Sequence, residues 1–303
     1  MQIGIFNSAG LGGNAGISSV VDEVREAHEQ GFPSFWVPQI FGFDALTLLA
    51  VAGHEVPDIE LGTAVIPTYP RHPMMLAAQA LTVQSATGGR LALGIGLSHQ
   101  IVIEAMFGYS FEKPVRHMKE YLSILRPLLH GESVSFQGET LSANGALGVP
   151  GSSAAPILIA ALGTQMLQLT ARLAEGTITW MTGPSTLEEH TVPTITSAAK
   201  EANRPAPRVV CGLPVCVTDD PAGARERAAR DLSIYGQLPS YRAMLDREGV
   251  EGPADMVIAG DEKEVAAGIE RVRDAGATDF LAAETGITAD ERTRTRELLR
   301  SFL

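Results

Sequence analysis

The sequence predicts a (β/α)8 TIM barrel with insertions on the loops of its C-terminal face. Three observations carry this. Short apolar runs alternate with amphipathic helical stretches along the whole chain, and parallel strands need such crossover helices between them. The apolar runs centre near residues 3, 35, 62, 93, 158, 179, 212 and 280 of 303, a number and length that suit one barrel. The two long gaps between runs, 97–155 and 218–261, lack linker composition and fall where barrel insertions usually gather, at the active-site end. An open doubly wound sheet with the same rhythm is the alternative.

QIGIF (2–6) supplies the first strand. A helix follows from residue 19, with Val20, Val24 and Ala27 on one face and Gly31 at its end. SFWV (34–37) is the second strand and is followed by a short helix over 44–53. LGTAVI (61–66) is the third. Pro73 opens the next helix at a first helical position, where its missing N–H costs nothing, and Gly88 and Gly89 close it. RLALGIG (90–96) is the fourth strand. The first long gap holds a helix over 114–129 and SVSFQGETL, a small hairpin around Gln137 and Gly138. A helix over 164–175, ended by Gly176, separates the strand near 158 from TITWM (177–181). The second long gap has helical character over 222–234 and 239–248. Asp261 and Glu264 form a capping pair ahead of the stripe Val265, Ile269 and Val272, which stops at Gly276. TDFLAA (278–283) precedes a last helix opened by the capping box of Thr288 and Glu291, with Arg296 and Arg300 near its C-terminal end. No repeat beyond this rhythm and no low-complexity stretch interrupts the chain, so a single domain over 1–303 is expected.

The formal charge of −12 argues against nucleic acid or an anionic membrane as partners, and it requires any anionic cofactor to find a local positive niche. No run approaches the roughly 18 apolar residues of a membrane span, and MQIGIFNSAG lacks the basic region and apolar core of a signal peptide. A cytoplasmic location is the expectation. Cys211 and Cys216 lie five apart in one strand-like run, hence on opposite faces, and read as two buried free thiols.

Four places could carry chemistry. Gly10-Leu11-Gly12-Gly13-Asn14-Ala15 fits a loose dinucleotide pattern, but it begins well past the first strand, and SFWVPQIF lacks the acidic residue that would bind a ribose. An active-site loop is the preferred reading. Gly62 to Pro67, at the end of the third strand, is small enough to admit a flat ring, although ordinary barrel core explains it equally. Gly96-Leu97-Ser98-His99 ends the fourth strand with a glycine, a hydroxyl and an imidazole, and His99 could polarise a carbonyl or move a proton. Glu104, five residues on, is either an acid or a solvated surface group. Finally, in Ala161-Leu162-Gly163-Thr164-Gln165-Met166 a glycine and a threonine stand at a helix start. They read as an anion site on free backbone N–H groups or as a plain Thr cap. The seven histidines show no metal-ligand spacing, and neither G-x-S-x-G nor a Walker loop is present, so metal, hydrolase and NTPase chemistries are not expected.

Several blocks, in order, resemble the bacterial-luciferase-like superfamily and its branch that uses the deazaflavin coenzyme F420. They are GFPSFWVPQ (31–39), IELGTAVIPTYPRHP, ATGGRLALGIG and PILIAALGTQMLQLTARLAEGTITWM, with Pro114 to Glu120 matching a P-x-R-x-x-E element loosely. The resemblance implies a barrel that binds F420, or reduced FMN, at its C-terminal face. It implies a non-prolyl cis peptide at Ala64–Val65 behind the ring, with Gly96, Leu97, Ser98 and His99 beside it. The turn Gly163, Thr164, Gln165 and Met166 would hold the phosphate. Many F420 relatives carry Asp-His after the second strand; here Gln39-Ile40 stands there, in wording similar to an actinobacterial subgroup. Gln39, His99 and Glu104 are then the candidates for substrate polarity and proton transfer. The expected activity is hydride transfer between deazaflavin C5 and a small carbonyl, alcohol, imine or activated alkene. A reduced-FMN monooxygenase and a cofactor-free barrel acting as a binding subunit are the alternatives, and homodimerisation is expected by family analogy.

Overall fold

The computed structural model describes residues 1–7 and 16–303; the glycine-rich segment 10–15 lies outside the described residues. Eight parallel strands close a barrel: β1 Gln2–Phe6, β2 Ser34–Val37, β3 Glu60–Thr63, β4 Leu91–Gly96, β5 Ile157–Ile159, β6 Gly176–Trp180, β7 Arg208–Val217 and β8 Asp279–Glu284. Each pairs with the next, and β8 returns to β1 through the register Gln2↔Asp279 to Phe6↔Ala283. All eight expected strands are present and helices cover the outside, so the open-sheet alternative falls.

Two layers of apolar packing follow from the alternation of side chains along each strand. The inward set is Phe6, Trp36, Ala92, Leu158, Ile178, Val210, Leu281 and Ala283, with Ala64, Val65, Ala160 and Trp180 packed against it from the C-terminal ends. The larger outward set joins strands to helices. Trp36 is fully buried within the barrel: a Cβ on Gly62 would lie 2.0 Å from its ring, so only glycine fits there. Beneath it, Arg208 plugs the N-terminal end. Its guanidinium reaches Glu60 at 2.7 and 3.0 Å and Asp279 at 2.5 and 2.9 Å, and lies 5.5 Å from the Trp36 ring centroid. Burial disfavours that charge, yet the two carboxylates outweigh it and raise the pKa of Arg208.

Differences from the sequence reading have local causes. LGTAVI is not one strand: β3 stops at Thr63, and Ile66–Pro67 resumes pairing with β4. Gly176 does not end the preceding helix, which stops at Leu173; it is the first residue of β6, where a Cβ would meet the Arg208 carbonyl oxygen at 2.1 Å. Ile258–Gly260 adds a parallel strand outside β7, a run too short to stand out in the sequence.

The hairpin Val134–Gln137 and Ser142–Gly145 is held by Glu120, from the helix Pro114–Leu129. Its carboxylate accepts from the N–H groups of Glu139, Thr140 and Leu141 at 2.8–3.1 Å and from the Thr140 hydroxyl at 2.6 Å. Burial alone would raise its pKa; the bonds from Thr140 and Leu141, with Arg116 nearby, hold it below the ordinary carboxylate value. In this chain the glutamate of the loosely matched P-x-R-x-x-E element is therefore a latch.

Candidate active site

The mouth of the barrel is shaped first by a bulge. Gly62 pairs with Ala92, but Ile66 pairs with Ile95, so β3 carries one residue more than β4 across this interval. Thr63, fully buried, repairs the interrupted ladder with its hydroxyl, which donates to the Gly94 carbonyl and accepts from the Gly94 N–H, both at 2.8 Å. Beyond it the Ala64–Val65 peptide is cis, at the position implied by the family resemblance. The bulge needs glycines opposite. A Cβ on Gly94 would sit 1.9 Å from the Thr63 carbonyl oxygen, and one on Gly96 would sit 2.7 Å from Val65 Cγ2 and 3.1 Å from Ala160 Cβ.

β4 then ends in Leu97, Ser98 and His99, all partly buried. Ser98 takes a left-handed φ of 60°, uncommon outside glycine. His99 begins the short helix Gln100–Ala105, and burial lowers its pKa, so the imidazole is neutral at pH 7. Glu104 lies on that helix, exposed, and accepts from Gln100 Nε2 at 3.1 Å and from the Phe111 N–H at 3.4 Å.

After β5, Gly163 caps the helix Thr164–Leu173 in an extended conformation without a side-chain cap. Thr164 is the first helical residue and not the cap, which removes the plain-cap reading. The N–H groups of Thr164, Gln165 and Met166 find no acceptor among the described residues, and no acidic side chain occupies the first turn. Gly163, Thr164 and Gln165 are exposed, and nothing lies within 4 Å of a Cβ placed on Gly163. Met166 turns its side chain into the core and offers only its backbone. The preceding carbonyl, Leu162, is fixed at 2.9 Å by His190 Nε2 from the π-turn Leu187–Thr191. The result is an open helix N-terminus carrying the positive end of the dipole, the kind of niche an anion needs on an acidic protein.

Gln39 sits differently from the expectation. Its side-chain oxygen accepts from the Ala45 N–H at 2.8 Å and helps Asp44 start the helix Ala45–Glu55, so the amide carbonyl is committed to the scaffold.

Opposite the bulge the structure brings together a set of aromatic rings that sequence reasoning missed. Phe6, ending β1, stacks on Trp180, ending β6, at 5.2 Å between centroids. Trp180 meets the edge of Tyr235 at 6.3 Å, Tyr235 meets Tyr241 at 4.9 Å, and Tyr241 reaches His99 at 5.6 Å. Tyr235 and Tyr241 come from the short helices Ser233–Gln237 and Pro239–Glu248 of the insertion after β7. Beside the bulge lies a second cluster, in which Tyr69 stacks on buried His117 at 3.9 Å and on Phe111 at 5.1 Å. His117 Nε2 is 3.0 Å from Thr68 Oγ1. Phe6 and Trp180 had a sequence signal, as large aromatics at the active-site ends of strands.

The described residues contain no group of three or more His, Cys, Asp or Glu placed to hold a metal. What the arrangement offers is a flat, small-residue wall on β3 and β4, an anion niche after β5, and an aromatic wall opposite. Comparison with known proteins places this geometry. The model of the luciferase-like monooxygenase family matches residues 1–299. A 5,10-methylenetetrahydromethanopterin reductase of Archaeoglobus fulgidus is 32% identical over 240 residues, 76% of this chain and 70% of that protein. A putative coenzyme F420-dependent oxidoreductase of Mycobacterium tuberculosis is 32% identical over 167 residues, 50% of this chain and 48% of that protein. Among solved structures, an F420-dependent secondary alcohol dehydrogenase in complex with an F420–acetone adduct superposes with a TM-score of 0.83 at 19% identity, over 100% of this chain and 98% of that one. Fold, order of blocks and family match agree: the chain belongs to the luciferase-like monooxygenase family.

Proposed function

We propose that the protein is a coenzyme F420-dependent oxidoreductase that exchanges a hydride with a small organic substrate bearing a carbonyl, alcohol, imine or activated alkene. The observation that carries the reading is the run of three adjacent strand ends. The β3 bulge at Ala64–Val65, the glycine-opened end of β4, and the bare helix N-terminus after β5 lie side by side around the mouth. A flat ring with an anionic tail fits such a sequence of surfaces. The ring would rest on Ala64, Val65 and Gly96, flanked by Leu97, Ser98 and His99. The tail phosphate would take the N–H groups of Thr164, Gln165 and Met166, with Gly163 leaving room for it. When bound, the deazaflavin supplies or accepts the hydride at C5. The chain's own part is to hold the ring against a dry wall, exclude water with the aromatic rings, and manage one proton.

The reading accords with the names of relatives that use F420. Titration of the protein with F420 and, separately, with FMN, followed by fluorescence, tests it. Saturable binding of F420 in preference to FMN is expected. Preference for FMN would replace the reading with an oxygen-using monooxygenase, and binding of neither would leave a cofactor-free barrel.

A further inference from the structure

The insertion after β7 crosses the mouth. β7 lies three strands away from β4 around the eight-stranded barrel, yet Tyr241 from the β7 insertion and His99 from the end of β4 are in ring contact at 5.6 Å and 52°. The helix carrying Tyr241 is fastened on the β6 side. Glu248 accepts from the N–H groups of Ser185 and Thr186 at 3.0 and 2.8 Å, Thr186 Oγ1 donates to the Met244 carbonyl at 3.3 Å, and Met244 and Leu245 are buried beneath. Tyr241 is therefore a fixed side chain standing over the mouth.

Among the described residues the side-chain donors around it, the Tyr235 hydroxyl and the Trp180 indole, are bound to no carboxylate. Among the described residues no protein group hydrogen-bonds the Tyr241 hydroxyl. The buried Trp180 Nε1–H lies toward the Tyr235 hydroxyl but outside hydrogen-bond geometry, and has no partner. Carboxylates are spent elsewhere: Glu104 braces its own loop, Glu284 is bound to Arg296 and Glu23 to Asn7. Burial raises the pKa of both tyrosines, which keeps their hydroxyls protonated. A donor-rich, carboxylate-poor, aromatic-walled mouth suits a neutral, flat molecule with an acceptor oxygen.

We propose that Tyr241 is the hydrogen-bond and proton donor to the carbonyl oxygen of a flat, uncharged, unsaturated or aromatic aldehyde or ketone. This deepens the proposed function and rests on it. In the reducing direction the hydride of the reduced deazaflavin forms a C–H bond at the carbonyl carbon, and the C=O π pair moves onto oxygen. That oxygen takes the Tyr241 proton and becomes a hydroxyl. Solvent then returns a proton to the tyrosinate. The coenzyme is oxidised by two electrons and, having given up a hydride, releases one proton to solvent; the carbonyl is reduced by two, and the proton returned to Tyr241 matches the one released.

The test uses the full-length protein and the chromophoric aldehyde 4-(dimethylamino)cinnamaldehyde, whose absorption band moves to the red when its carbonyl oxygen accepts a strong hydrogen bond. Without coenzyme, wild type should bind the probe saturably, with a red shift and quenching of tryptophan fluorescence. Tyr241→Phe, which removes one oxygen atom and keeps the ring, should still quench but lose most of the shift. With reduced F420, its kcat for the aldehyde should fall about 100-fold while KM changes far less. Lack of binding or of a shift in wild type overturns the proposal, and so does an undiminished shift in Tyr241→Phe. F420 titration of both proteins separates the two readings. If neither binds F420 while wild type shifts the probe, the coenzyme assignment fails and the donor assignment stands.

Discussion

His117 offers a quantitative test that needs no coenzyme. It is 4% exposed, stacked on Tyr69, and within 3.0 Å of the Thr68 hydroxyl, itself buried at the end of the bulge. Burial pushes its pKa from 6.5 down to about 4, with Glu120 opposing only weakly. The folded protein therefore holds a neutral imidazole where the unfolded chain takes a proton near pH 6.5. Above that pH both states are neutral and the group contributes no pH dependence. As the pH falls below 6.5 the unfolded state gains protons first, and stability drains away until the folded state also protonates near pH 4. Linkage puts the loss at about 2 kcal/mol at pH 5, approaching about 3 kcal/mol at lower pH. Carboxylates also titrate in this range, so the informative quantity is the difference between wild type and His117→Phe, in which they cancel. The variant loses a hydrogen bond at every pH, a fixed cost of about 1 kcal/mol. Urea unfolding at pH 7 and pH 5, with m-values compared to confirm like transitions, measures the rest. The stability difference between wild type and variant should move by about 2 kcal/mol across that interval, from an advantage of about 1 kcal/mol at pH 7 to a disadvantage of about 1 kcal/mol at pH 5. An advantage that is constant with pH would refute the claim that His117 is buried and neutral.

Three further outcomes follow from the same structure. Gly96→Ala should cost about 1–3 kcal/mol of stability through the contacts its Cβ makes with Val65 and Ala160. It should also weaken F420 binding by about tenfold or more, read by fluorescence titration; unchanged affinity would remove the β4 end from the coenzyme site. Arg208→Met leaves the buried Asp279 carboxylate without its cation and should lower stability by about 3–5 kcal/mol, recovered in part by adding Asp279→Asn. Burial pushes the thiols of Cys211 and Cys216 up to about 12 and about 11, so an aromatic disulfide reagent at pH 8 should label neither in the folded protein and both in urea.

The sequence made the barrel legible because the barrel is periodic. Apolar runs such as QIGIF and TDFLAA lie at regular intervals, and caps such as Asp261 with Glu264 and Thr288 with Glu291 are formed as read. The β3 bulge was visible only through resemblance. Nothing in LGTAVI says where pairing stops; that is set by Thr63 folding its hydroxyl onto Gly94 across 31 residues. Glu104 and Gln39 read as possible chemistry because carboxyl and amide groups near strand ends look alike whether they face substrate or scaffold. In the structure both hydrogen-bond to backbone N–H groups of the scaffold. Tyr235 and Tyr241 left no signal, since helical character over 222–234 and 239–248 does not say which side chains of the insertion reach the mouth.

That asymmetry has a functional meaning. The wall assigned to the coenzyme is made almost wholly of backbone: a cis bulge, glycines that admit it, and bare N–H groups after β5. Such a surface demands small residues at fixed strand ends, which is why it is written in the sequence. It also answers the charge problem, because a helix N-terminus supplies about half a positive charge without a lysine or arginine, on a protein whose net charge is −12. The wall assigned to the substrate is made of side chains delivered by an insertion, and any ring at roughly the right height would leave the barrel intact. Substrate choice can then vary while coenzyme binding stays fixed. Gln39 falls on the scaffold side of this division: its side-chain oxygen is tied to the Ala45 N–H, while His99 meets Tyr241 of the β7 insertion across the mouth.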